Sequence, residues 1–115
     1  MNRGRDAQQL DRLFHALADD SRRRMIDRLS EGPASVSELA RPLAMALPSV
    51  VKHLAVLESG GIVLSQKNGR VRTYRLAPDA LARAEAWVGE RKARWNARFD
   101  ALERYLLDTA DEDMP

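Results

Sequence analysis

The stretch from Ser35 to Leu76 leaves this chain few folds to choose from. It reads SVSELARPLAM, then ALPSVVKHLAVLESGG, then IVLSQKNGRVRTYRL. In the second part Leu47, Val50, Leu54 and Leu57 recur at three- and four-residue steps, the spacing of one buried helical face. Pro48 suits the first turn of that helix, where its missing N–H removes no helical hydrogen bond. Gly60-Gly61 then stands where a left-handed residue ends a helix. Upstream, Ser35-Val36-Ser37-Glu38 has the capping-box spacing that starts a short helix with Val36, Leu39, Ala40 and Leu43 inward. Pro42 kinks that helix or begins its end, which puts Met45 and Ala46 in a tight turn. Downstream, two β-prone runs bracket Asn68-Gly69, a strong hairpin signal. The pattern is a helix-turn-helix over about residues 36–59 followed by a β-wing over about 62–76, in a mainly α chain with one small hairpin.

That arrangement points to nucleic acid. With Leu54 inward, Lys52 faces roughly the opposite way, flanked near the helix start by Ser49 and Val51. Short side chains beside a cation are what a helix N-terminus offers to base edges in a major groove. Lys67, Arg70 and Arg72 gather at the hairpin with Arg75 near them, as phosphate contacts or minor-groove insertion require. The blander reading is an amphipathic surface helix beside a solvated edge, whose cations block aggregation. From Asp20 to Leu76 ten cations face five anions, although the net charge of the 115 residues is only +2. The acidic end of the chain masks a basic segment.

The flanks read as support. Leu10, Leu13, Phe14 and Leu17 mark one face of a first helix over about 8–18, after a polar start from Met1 to Asp6 that is expected to fray. A second helix begins near Ser21, buries Met25, Ile26 and Leu29, and stops at Gly32-Pro33. Its Arg22-Arg23-Arg24 run is expected to be mostly solvated or ion-paired, since adjacent helical residues point in different directions. Ala77-Pro78-Asp79 opens a last helix over about 79–107. There Leu81, Val88, Trp95 and Leu102 repeat every seven residues, beside Trp87, Phe99, Tyr105 and Leu106. Such a helix is about 43 Å long at ~1.5 Å per residue, more than so small a core can cover. A second copy is the simplest partner, through Leu10, Leu13, Phe14, Leu81, Val88, Trp95, Phe99, Leu102 and Leu106. The competing account has Arg91, Arg94 and Arg98 lie over the rings.

Much chemistry is missing. There is no cysteine, hence no disulfide, thiolate ligand or thiol redox sensor. No phosphate-cradling glycine loop, nucleophile elbow or paired-histidine zinc motif occurs, so no catalytic residue is expected. His15 has no partner at metal-ligand spacing, and His53 borders the buried face with one nitrogen toward DNA. No metal and no cofactor are expected. No run is long and apolar enough to span a bilayer, and the N-terminus lacks a signal-peptide core, so the expected location is cytoplasmic.

Across Leu10 to about Leu107, the segments LFHALADDSRRRMIDRL, SVSELARPLAMALPSVVKHLAVLESGGIV and QKNGRVRTYRL resemble the ArsR-type winged helix-turn-helix repressors, in particular small members without cysteine metal sites. The resemblance implies a homodimeric transcriptional regulator on double-stranded DNA, usually a repressor, paired through its first and last helices. It places Ser49, Val51, Lys52 and His53 on the DNA-reading helix and Lys67, Asn68, Arg70 and Arg72 in the wing. Ala46 and Val51 stand where the family often has serine, so a helix cap is lost and Val51 meets a thymine methyl instead of making a polar contact. Asp20 replaces a common proline, leaving Asp19 or Asp20 to cap the second helix. The alternative is a protein-interaction module whose winged helix holds a partner without specific DNA binding. No residue pattern names an effector; one would act by shifting the dimer between binding-competent and incompetent populations.

Overall fold

The computed structural model describes residues 3–112. In chain order the elements are α1 (Arg3–Leu17), α2 (Asp20–Leu29), β1 (Ala34–Ser35), α3 (Val36–Leu43), α4 (Leu47–Ser59), β2 (Val63–Asn68), β3 (Val71–Leu76) and α5 (Ala82–Glu112). They form two compact units, one up to Ala84 and one from Glu85 onward.

In the first unit, Leu13 and Ala16 of α1, Met25 and Leu29 of α2, Leu39 of α3, and Val50, Leu54 and Leu57 of α4 bury one shared core. Ile62, Val63 and Tyr74 close it from the hairpin side. The sheet order is β1-β3-β2, all antiparallel. The two-residue strand β1, which pairs Ala34 with Tyr74 and Ser35 with Thr73, has no signature in the sequence pattern. It joins the start of the helix-turn-helix to the wing by backbone hydrogen bonds.

Several expectations need correcting. The first helix begins at Arg3, so the polar start is helical over its described part. Leu13 is 1% exposed inside the protomer's own core and has no surface left for a second copy. Asp79 adopts a left-handed φ of 57°, and α5 starts only at Ala82. Leu81 therefore precedes the helix that its seven-residue spacing assigned it to. In the hairpin Asn68 pairs with Val71, so the turn residues are Gly69 and Arg70 rather than Asn68-Gly69. Gly69 has φ 63° while Arg70 stays at negative φ, the pattern of a II′ turn with glycine first. The pair Val63↔Leu76 at the base of the hairpin sets this register, as apolar matching outweighs a turn dipeptide.

The second unit is the length of α5 from Glu85 onward. Its apolar residues lie open: Val88, Trp95, Phe99, Leu102 and Leu106 are all exposed, Trp95 at 56% and Phe99 at 64%. The guanidinium of Arg91 stacks 4.3 Å over the Trp87 ring, so one of the three arginines does lie on an aromatic face. The 31-residue helix is about 46 Å long at ~1.5 Å per residue.

Candidate nucleic-acid interface

The helix-turn-helix is built from α3 and α4. The capping box at the start of α3 forms in full: the Glu38 amide donates to Ser35 Oγ at 3.3 Å, and the Ser35 amide to Glu38 Oε1 at 3.1 Å. These bonds, with Arg28 nearby, hold the Glu38 carboxyl below its ordinary value. Pro42 falls one residue before the end of α3, and the helix stops where Ala44 turns left-handed at φ 52°. Ala46 then caps α4 with the right backbone but no side-chain bond. The Ser49 and Val50 amides both donate to its carbonyl, at 3.0 and 3.2 Å.

Helix α4 has two faces. Val50, Leu54 and Leu57 are fully buried, while Ser49, Val51 and Lys52 face out. The helical spacing places Leu47 inward, yet at the start of α4 it is 50% exposed. Together with Val51 at 47%, one turn later, it gives the helix start an apolar surface beside Lys52.

His53 differs from its neighbours. Its Nδ1 lies 3.2 Å from Arg22 Nη1 and 3.9 Å from Asp19 Oδ2, and its side chain is only 21% exposed. Arg22 is itself buried, donating through Nε to the Ala16 carbonyl and through Nη2 to the His15 carbonyl, both at 2.8 Å. Arg23 Nη1 donates to the Leu17 carbonyl at 2.8 Å. Two of the three adjacent arginines thus satisfy the last carbonyls of α1, which have no partner in their own helix. Arg22 departs from the solvated or ion-paired expectation because it is buried, whereas Arg23 and Arg24 are exposed, as expected for most of the run. A signal was available: Arg22 stands three residues before Met25 and seven before Leu29, on the inward stripe of α2. Asp19 caps α2, accepting from the Arg22 amide at 3.0 Å. That bond, with the charge of Arg22, lowers its pKa.

In the wing, Lys67 and Arg72 are cross-strand partners, and Arg70 occupies the turn itself. Arg72 is partly committed: its Nη1 donates to Ser65 Oγ at 2.9 Å, and that hydroxyl donates to Glu58 Oε2 of α4 at 3.0 Å. The relay ties the wing to α4. Lys52, Lys67, Arg70 and Arg75 make no ion pair or side-chain hydrogen bond among the described residues. Two of them border the exposed turn, where Asn68 and Val71 close the strands. No group of three metal-ligating side chains converges among the described residues.

A two-faced helix following a tight turn, with a cationic β-hairpin hydrogen-bonded to it, defines the winged helix-turn-helix class of DNA-binding fold. A helix-turn-helix domain model matches residues 17–66. The transcriptional regulator Rv2034 of Mycobacterium tuberculosis is 44% identical over 72 residues, 63% of this chain and 67% of that protein. The arsenical resistance operon repressor of Escherichia coli is 37% identical over 86 residues, 70% and 74% of the two chains. Among solved structures, the ArsR family transcriptional regulator RHA00566 superposes with TM-score 0.74 at 47% identity, over 78% of this chain and 93% of its own. The homodimeric winged helix-turn-helix DNA-binding domain Mb0332 of Mycobacterium bovis does so with TM-score 0.65 at 28% identity, over 84% and 90%. The chain belongs to the ArsR family of transcriptional regulators.

Proposed function

We propose that this chain is a homodimeric, sequence-specific DNA-binding regulator that represses transcription by occupying an inverted-repeat operator in the cytoplasm, without catalysis or cofactor. The observation that carries this reading is the pairing of α4's outward face (Ser49, Val51, Lys52) with a hairpin bearing Lys67, Asn68, Arg70 and Arg72. Base edges meet the first set and phosphates the second. The repressor role draws support from the relative named as an operon repressor. The dimer draws support from the homodimeric neighbour and from the exposed apolar residues Val88, Trp95, Phe99, Leu102 and Leu106 of α5; on α1, Phe14 is 37% exposed and Leu10 half-buried. Two reading helices related by a twofold axis would enter successive major grooves about 34–36 Å apart.

A titration of duplex DNA at several salt concentrations tests the reading. Lys52→Ala and Arg70→Ala should each weaken binding and flatten the log–log salt slope by roughly one for each phosphate left without its cation. Unchanged affinity and slope in both variants would reject this DNA face. Retention of no duplex in a salt-sensitive, sequence-selective way would favour a protein-interaction module instead.

A further inference from the structure

The Arg22 guanidinium joins three elements at one point. Two of its nitrogens are fixed by α1 carbonyls of His15 and Ala16, both at 2.8 Å, and the third meets His53 Nδ1 of α4 at 3.2 Å. A guanidinium has donors only. Nδ1 must therefore accept, which places the neutral imidazole's proton on Nε2. With Nδ1 unprotonated, Asp19 Oδ2 at 3.9 Å is a near neighbour and not an ion-pair partner. Arg22 is 8% exposed and held at both ends of its fork, so it is a fixed post against which α4 is set.

We propose that His53 is a positioning residue: through Nδ1 and Arg22 it sets the roll of α4 about its own axis, and so the direction in which Val51 and Lys52 point. The inference rests on the DNA-binding reading above and goes beyond it, because it removes His53 from the base-reading set and gives it a role inside the protein. Side-chain ends lie about 5–6 Å from a helix axis, so a roll of roughly 10° displaces them by about 1 Å. A shift of that size takes a hydrogen bond to a base edge out of its geometric range. Because the other arms of Arg22 end on α1, the same contact references the reading helix to a helix proposed to lie at the dimer interface.

The amides of asparagine and glutamine separate the two ring nitrogens. Asparagine places a polar atom where Nδ1 stands, whereas glutamine reaches the position of Nε2. The full-length wild type is first used to select a duplex from a randomised pool. His53→Asn, His53→Gln and His53→Ala are then titrated against that duplex and a scrambled one of equal length, with thermal melting to confirm folding. Positioning through Arg22 requires His53→Asn to keep the selected affinity, and His53→Gln and His53→Ala to lose about tenfold, the scale of one hydrogen bond to a charged group. Affinity for the scrambled duplex and the salt slope should stay as in wild type, since every phosphate keeps its cation. Loss in His53→Asn, or full affinity in His53→Ala, overturns the proposal; retention in His53→Gln with loss in His53→Asn marks a base contact through Nε2. A wild type that selects no sequence overturns the DNA reading itself, and this proposal with it.

Discussion

Replacing Gly60 by alanine should weaken the fold, although Gly60 sits at ordinary helical φ (−79°) where alanine is conformationally welcome. The obstacle is α1. A Cβ built on Gly60 lies 2.9 Å from the Arg12 carbonyl oxygen and 3.0 Å from Ala16 Cβ, with the Arg12 carbonyl carbon at 3.4 Å. Carbon atoms pack best at about 3.5–4.0 Å, so α1 and α4 must part by roughly half an ångström. Neither obstacle is a flexible chain end: one is helix backbone, the other a methyl group with no exposed surface. Overpacking of this kind costs about 1–3 kcal/mol. Stiffening the unfolded chain returns about 0.4–1 kcal/mol, leaving a net loss of roughly 1–2 kcal/mol. Urea titrations at one fixed protein concentration would read it as a lower midpoint at constant m-value. Gly61→Ala is the contrasting variant, since its Cβ meets nothing within 4 Å and its penalty comes only from a left-handed φ of 75°. A neutral or stabilising Gly60→Ala would refute the claim that glycine there serves the approach of two helices.

Ala46→Ser should stabilise by only about 0.5 kcal/mol, the low end for a new N-cap, because Pro48 has no amide and the Ser49 amide already bonds the Ala46 carbonyl at 3.0 Å; a lower melting temperature would contradict this. Glu38 has a folded pKa below its ordinary 4.5, so its stabilising effect is complete above pH 4.5 and disappears as the pH falls through the folded value. The stability gap between wild type and Glu38→Gln should accordingly be constant above that pH and shrink below it, and a gap that widens in acid would reverse the sign. Trp95→Glu introduces a charge at an open apolar position of α5. Sedimentation at micromolar concentration should find it monomeric with helical content retained, and an intact dimer would remove Trp95 from the interface.

What could be read from the sequence was what neighbouring residues decide between themselves. The capping box needs only Ser35 and Glu38, and the inward face of α4 needs only Val50, Leu54 and Leu57 at helical spacing. Several of the misreadings involve a partner far along the chain. Gly60-Gly61 does end α4, with Gly61 left-handed, but the close approach of Gly60 to the Arg12 carbonyl is invisible until α1 is placed beside it. The hairpin turn follows the match of Val63 with Leu76, not the dipeptide between them. Leu13 shares an apolar stripe with Leu10 and Phe14, and periodicity alone does not divide such a stripe between a protomer's core and a dimer face. Only the position of the other helices does that, leaving Leu13 buried and Phe14 exposed.

The three adjacent arginines show why a charge count overstates a DNA face. Arg22 and Arg23 stand in the first turn of α2, the positive end of that helix's dipole, where cations are disfavoured. They are accommodated because the last turn of α1, with its unsatisfied carbonyls, comes to the same place and carries the opposite partial charge. Arg28 likewise donates to the Gly32 carbonyl at 3.1 Å and lies 3.8 Å from Glu38, and Arg72 holds Ser65. Four of the ten cations between Asp20 and Leu76 thus have structural roles within the chain. The basic excess of that segment is partly a consequence of joining α1 to α2 through a two-residue link. Of the six that remain, Arg24 and Arg41 lie exposed on α2 and α3, while Lys52 on α4 and Lys67, Arg70 and Arg75 on the hairpin are the ones the proposed DNA face would use, a smaller charge than the sequence total implies.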